Sequence, residues 1–293
     1  MEHPSAVLTR EAIKKQEFDM LLHKSTPERR AIFEKLQEKK WFQKTDSELQ
    51  KKLLALPDKG IENHDGFLED LASRPEEISN IKVERMIDLP RGSFALVPKF
   101  EVSRVDNPNK RFTYEYVSWR SGPLTGEKGV VFVEKDGVTT HFIVLHGEKF
   151  ATGKKSWDSV GGFADLGMDG VKTVADRTAK EMQEELGVAD IKILRKVDLG
   201  TVNPDVGMTN NEPGIFAAFI DSKDAAKISS QPLNGDMYEL KSGAVIFPMH
   251  ELPKVVMTNT DSMFLSAIAR AWAKGIIPPP EGMTGKAVGF SLN

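Results

Sequence analysis

Glu181, Glu184 and Glu185 lie in the stretch Lys180-Glu-Met-Gln-Glu-Glu-Leu-Gly187. On a helix, positions three and four apart share a face, so all three carboxylates project to one side within a single turn. Carboxylates packed so closely repel one another, and a hard cation offsets that repulsion. An oxygen-only ligand set suits Mg²⁺ or Mn²⁺. Such a cation can neutralise anionic oxygens and activate a bound water. The plainer alternative is a Glu-rich helix face that is simply solvated. Other hydrolytic routes lack their residues. The chain has no Gly-x-Ser-x-Gly, no glycine-rich loop ending in Gly-Lys-Ser/Thr and no cysteine.

A helix over residues 171–186 must carry these glutamates, with Val171, Val174, Thr178 and Met182 as its core-facing stripe. Gly187 suits the left-handed position that closes it. Val130-Val-Phe-Val133 and His141-Phe-Ile-Val-Leu145 flank Asp136-Gly137, a strong hairpin signal. Residues 191–199, 214–220 and 244–247 read as further strands, and a last helix runs from about Asp261 to Lys274. Upstream, Phe94–Val97 and Phe112–Val117 read as strands around a turn at Asp106–Asn109. Residues before about 80 read as short helices: Ser25-Thr-Pro-Glu28 carries a helix start, and Thr45-Asp-Ser-Glu48 a capping box. The organisation expected is a helical accessory domain over 1–80, a catalytic domain over 81–277 and a tail over 278–293.

Composition narrows the function classes. The 293 residues carry a net charge of −3, which argues against bulk nucleic-acid or anionic-membrane binding. No apolar run approaches a membrane span, and Met1-Glu-His-Pro4 lacks the pattern of a signal peptide. Without cysteine there are no disulfides, thiolate metal sites or cysteine nucleophiles. A cytoplasmic protein is the expectation. His141, His146 and His250 show no partner spacing that suggests a metal site.

Gly161-Gly-Phe163 together with Lys180–Val188 resembles the Nudix box. Glu181, Met182, Glu184, Glu185, Gly187 and Val188 match the second half of that family's pattern, with Lys180 in place of the usual Arg. Trp157-Asp-Ser-Val-Gly-Gly162 looks like the strand leading into the box, and the order of elements over roughly 85–276 is similar to the family's. Two features depart from it. The segment from Gly162 to Lys180 is longer than the pattern by about one helical turn, which makes 165–170 an expanded loop. The family's upstream Glu is also absent, its position falling on Lys172 or Met168; Asp176 and Lys180, four apart, are a substitute pair.

The resemblance implies an α/β/α sandwich around a mixed sheet. It implies Mg²⁺ (Mn²⁺ as a substitute) held by Glu181, Glu184 and Glu185, with Glu184 and Glu185 also in the catalytic set. The substrate implied is a nucleoside-diphosphate compound of the ADP-ribose or ADP-sugar class. Members of that class carry a Pro some fifteen residues beyond the box and then a Glu in a mobile loop; here Pro204 and Glu212 stand near those places. Glu212 is thus the candidate base. Gly161, Gly162, Arg111 and Pro204 are candidate substrate contacts, with Tyr116 and Trp119 near Arg111 in strands that often help build a dimer in such enzymes. Two alternatives stay open: a hydrolase that sanitises nucleoside triphosphates, and a non-catalytic nucleotide sensor acting through the N-terminal helices.

Overall fold

The computed structural model describes residues 25–59, 63–124, 126–162, 174–228 and 242–278, with the side chains of 174–177 and of 242 excepted. Several sequence expectations lie outside these residues: Phe163, the loop at 165–170, Val171, Lys172, the side chain of Asp176, and the tail from 279. The chain divides into two compact units, Met1–Thr125 with Asp205–Asn211, and Gly126–Pro204 with Glu212–Asn293.

The first unit opens with helices α1 (Pro27–Glu38), α2 (Lys40–Lys44), α3 (Ser47–Leu54) and α4 (Asp65–Ser73). Thr26 caps α1 by accepting from the Arg29 N–H at 3.2 Å, and Pro27 fills the first turn, where its missing N–H costs nothing. At Thr45–Glu48 the expected capping box is replaced by a simpler cap. Asp46 accepts from the Glu48 N–H at 2.9 Å. Thr45 instead donates to Trp41 O at 2.8 Å and accepts from the Met86 N–H at 3.0 Å, tying the helices to a strand.

That strand is β2 (Ile81–Asp88), part of an antiparallel sheet with β1 (Glu77–Ile78), β4 (Lys99–Arg104) and β5 (Arg111–Glu115); β3 (Ala95–Leu96) pairs separately with β6 (Ser118–Trp119). One apolar core joins Phe33, Leu36, Trp41 and Phe67 of the helices to Met86, Phe100 and Val102 of the sheet. At roughly 1.5–3 kcal/mol for each large side chain buried, this core is what makes helices and strands one unit. The sequence reading placed a boundary at residue 81, through the middle of it.

The second unit is a mixed sheet in the order β10 (Ile193–Thr201), β11 (Gly214–Asp221), β7 (Glu127–Lys135), β8 (Val138–Lys149), β12 (Ser242–Pro248), with β9 (Lys154–Asp158) paired to β8. β11 and β7 run parallel and the other pairs antiparallel. The β7–β8 hairpin turns at Asp136 and Gly137, with φ of 53° and 77°, as the Asp-Gly pair demands. Central strands bury both faces. Val130, Phe132, Phe142, Ile215, Ala217 and Phe219 face α7 (Leu252–Thr258) and α8 (Ser262–Ala273). Their neighbours Val131, Val133, Ile143, Phe216, Ala218 and Ile220 face α5 (Val174–Leu186) and α6 (Ser222–Ala225). The unit is therefore an α/β/α sandwich, as the sequence implied. Among the described residues, no helix is long and apolar enough to cross a membrane.

Candidate active site

β7 begins with Glu127 and Lys128 before its apolar run. The chain leaving β9 comes back alongside this polar start. Gly129 and Val160 exchange backbone hydrogen bonds of 2.8 and 3.0 Å, and the Glu127 N–H donates to Gly162 O at 3.2 Å. Gly161 has φ of 120°, and a side chain there would run into the Glu127 carbonyl. A Cβ on Gly162 would sit 2.5 Å from Cδ of Glu181. Gly161 is thus required by backbone approach and by its φ, whereas at Gly162 the space is taken by the Glu181 side chain.

α5 supplies the other wall. Met182 and Leu186 are fully buried in the core and fix its rotation. Gly187, at φ 66°, closes the helix in the left-handed conformation, and the Val188 N–H reaches back to Gln183 O at 3.1 Å. With the helix so oriented, Glu181 is only 5% exposed, and Glu185 Oε2 accepts from the Gly161 N–H at 2.6 Å. Glu184 is exposed and pairs with Lys180 at 3.8 Å.

Around this pair lies a second set of charges. Lys128 Nζ is 3.4 Å from both carboxylate oxygens of Asp158, and Lys149 also pairs with Asp158. The Ser159 N–H donates to Asp158 at 2.9 Å and to Asp261 at 2.8 Å. Asp261 in turn caps α8 at the Met263 and Phe264 N–H groups. Glu127 accepts from Thr178 Oγ1 at 2.6 Å and from Lys196 Nζ.

Burial pushes Glu185 up to about 8, with Lys128 and the Gly161 N–H pulling against it and Glu181 and Asp158 adding to the rise. Burial also works against the Asp158 carboxylate, but Lys128 and Lys149 outweigh it and hold that group down at about 2. Asp261 is raised, first by burial and then by the charge of Asp158. Burial disfavours the Lys128 ammonium, yet Asp158, Glu185 and Asp261 keep it above its ordinary range.

The structure therefore brings Glu181, Glu185, Gly161 and Gly162 together. Glu184 stands on the solvent side, and among the described residues no group of three or more His, Asp or Glu side chains is arranged to hold a metal ion. The donor chemistry of Glu181 and Glu185 nonetheless fits a hard divalent cation: two adjacent carboxyl groups that offer oxygen donors only. Pro204 and Glu212 are exposed, at the two ends of the segment Asp205–Asn211. That segment is tied down. Val117 N–H donates to Met208 O at 2.8 Å, Thr209 Oγ1 donates to Val117 O at 2.9 Å, and Asn210 Nδ2 donates to Asp70 at 3.0 Å. Arg111 lies in the first unit, exposed and paired with Glu101 at 2.9 Å. Tyr116 is buried in that unit's core, and Trp119 belongs to β6.

Sequence reasoning missed Glu127, Lys128, Asp158 and Asp261. A signal existed for the first two, since a charged pair precedes the apolar run of a central strand. Asp261 was read only as a helix start.

No family model matches the chain, and no curated protein matches it. Among solved structures it is similar to one titled crystal structure of ADP compounds hydrolase, at 17% identity and a TM-score of 0.49, over 69% of this chain and 98% of that one. The chemistry of the site has to come from its own side chains.

Proposed function

We propose that this protein is a Mg²⁺-dependent hydrolase cleaving the diphosphate of a nucleoside-diphosphate compound of the ADP-ribose or ADP-sugar class. The observation that carries this reading is the convergence of Glu181 and Glu185 on the bare backbone of Gly161–Gly162. Glu181 and Glu185, joined by Glu184, would hold the cation. When bound, Mg²⁺ supplies charge neutralisation at the phosphoryl oxygens and an acidified water. The Gly161 N–H keeps Glu185 in one orientation, and Lys128 tempers the negative charge beside it. Gly162, having no side chain, lets the Glu181 carboxylate lie against the backbone. Glu212 takes the proton from the attacking water in this reading, and Pro204 stiffens the start of its loop.

A second reading is favoured by one observation. Lys128 already provides a positive charge beside Glu185, which suits a nucleotide sensor that does not turn over. One experiment separates the two. The pure protein is incubated with Mg²⁺ or with EDTA and a panel of ADP-ribose, ADP-glucose, NADH, dinucleoside polyphosphates and dNTPs, and mononucleotide release is followed chromatographically. Release from ADP-ribose or ADP-glucose that EDTA abolishes supports the hydrolase. Preference for dNTPs makes it a triphosphate-sanitising enzyme, and binding without release makes it a sensor.

A further inference from the structure

The four-stranded sheet of the first unit has two edges, and they differ. β1 is two residues long, which leaves little to template another strand. β5, Arg111-Phe-Thr-Tyr-Glu115, is five residues long, exposed at every position, free of proline and paired with β4 in unbroken register. An edge of that kind presents a row of N–H and C=O groups to any strand that fits it.

Hydrogen bonding fixes which groups β5 presents. The Val105 N–H donates to Asn80 O on the β2 side at 2.9 Å, and the Arg104 N–H donates to Lys110 O on the β5 side at 3.3 Å. Hydrogen-bonded pairs recur at every second position of an antiparallel ladder. Phe112 and Tyr114 therefore spend their N–H and C=O groups on β4, while Arg111, Thr113 and Glu115 turn theirs to the open edge. The side chains divide the same way. Phe112 and Tyr114 lie opposite Val102 and Phe100, hence on the face that carries the core, and are 37% and 43% exposed. Arg111 and Glu115 lie on the other face, paired with Glu101 and Lys99 at 2.9 and 3.2 Å.

This edge is complementary to itself. An antiparallel copy joins it in hydrogen-bonding phase only where Arg111, Thr113 or Glu115 meets one of those same three residues. A twofold axis at Thr113 aligns the whole strand. Arg111 then faces Glu115 of the second copy, Phe112 faces Tyr114, and Thr113 faces itself. Opposite charges and aromatic pairs at directly opposed positions stabilise antiparallel strands. An axis at Arg111 or at Glu115 would keep the phase but oppose like charges, which is destabilising.

We propose that β5 pairs with β5 of a second copy of this chain about a twofold axis at Thr113, joining two sheets into one. The inference rests on the first unit alone and is independent of the chemistry proposed for the second. A junction this short buries less than a standard interface, so a roughly micromolar Kd is expected.

Sedimentation equilibrium of the full chain over a range of concentrations tests it. Thr113→Pro removes an outward N–H that β4 does not use, which an edge strand tolerates, and should weaken self-association about tenfold or more. Arg111→Glu and Glu115→Arg each oppose like charges across the axis, so each alone should self-associate about tenfold or more weakly. An equimolar mixture of these two variants restores opposite charges at both places and should recover the dimer. A wild-type chain that is still monomeric at about a hundred times the expected Kd overturns the proposal and leaves the edge to an extended segment of another protein. A dimer that Thr113→Pro does not weaken, or a mixture that associates no better than its components, equally overturns it. Should Thr113→Pro fail to fold, the mixture decides.

Discussion

The backbone N–H of Gly161 donates a 2.6 Å hydrogen bond to Glu185, 24 residues further along the chain, and so fixes an α5 carboxylate to the turn that follows β9. Glu185→Gln keeps a carbonyl able to accept that bond and removes a charge that burial disfavours. The variant is expected to lose turnover by about 10²-fold or more, in line with loss of an essential charged group. Its thermal midpoint should stay level or rise. Rates in Mg²⁺ beside a melting curve check this, and wild-type turnover in the variant would refute the assignment of the site.

The two glycines should fail differently. Gly161→Ala puts a side chain at φ 120° against the Glu127 carbonyl, so it should cost about 2 kcal/mol or more of stability. Gly162→Ala meets the far end of Glu181, which can move. Its expected loss is in activity, with a smaller change in stability. Urea titrations of both variants, paired with rates, separate the two effects; equal stability losses would contradict the geometry.

Asp158 gives the pH dependence. It titrates near 2 in the folded chain, whereas an unfolded aspartate titrates near ~3.9. The folded state thus binds fewer protons in that interval. The contribution of the Lys128–Asp158–Lys149 cluster, roughly 2 kcal/mol, is complete above about pH 5 and fades as the pH falls towards 2. Asp158→Asn should be less stable than wild type at pH 6, and the gap should narrow as the pH falls from about 5 towards 2. Asp261, relieved of a neighbouring charge, trims the gap at pH 6. A gap in urea stability that is constant over this range would remove the electrostatic account.

Glu212→Gln tests the base. A positioned base is worth about 10²-fold or more in kcat, and KM and Mg²⁺ affinity should change little. Weaker Mg²⁺ binding would make Glu212 a ligand instead, and an unchanged kcat would place the base elsewhere.

The second unit was legible because its signals are local and periodic. Asp136-Gly137 dictates its hairpin, and alternation along Val130–Val133 sorts side chains to two faces. Met182, Leu186 and Gly187 fix where α5 sits and stops. The site was half legible for the same reason. Helical spacing places Glu181 and Glu185 on one face, but it cannot say that Glu184 remains with Lys180 in solvent. Lys128 and Asp158 meet Glu185 only through strand pairing between distant segments, which no short window contains. The division of the chain was misread because Trp41 and Phe100 share a core that neither segment announces alone. Asn210 and Asn211 suggested a loose loop. Their neighbour Val117, far back in sequence, is what holds it.

That last pairing sets a timetable. Thr209 bonds to Val117 across 92 positions, and a ribosome adds roughly 5–20 residues each second. The end of the first unit therefore waits roughly 5–20 seconds after its own synthesis for a partner segment made only after most of the second unit's sheet. During that interval Val117 and Asp70 lack the groups that later satisfy them, and the emerging chain is open to other hands.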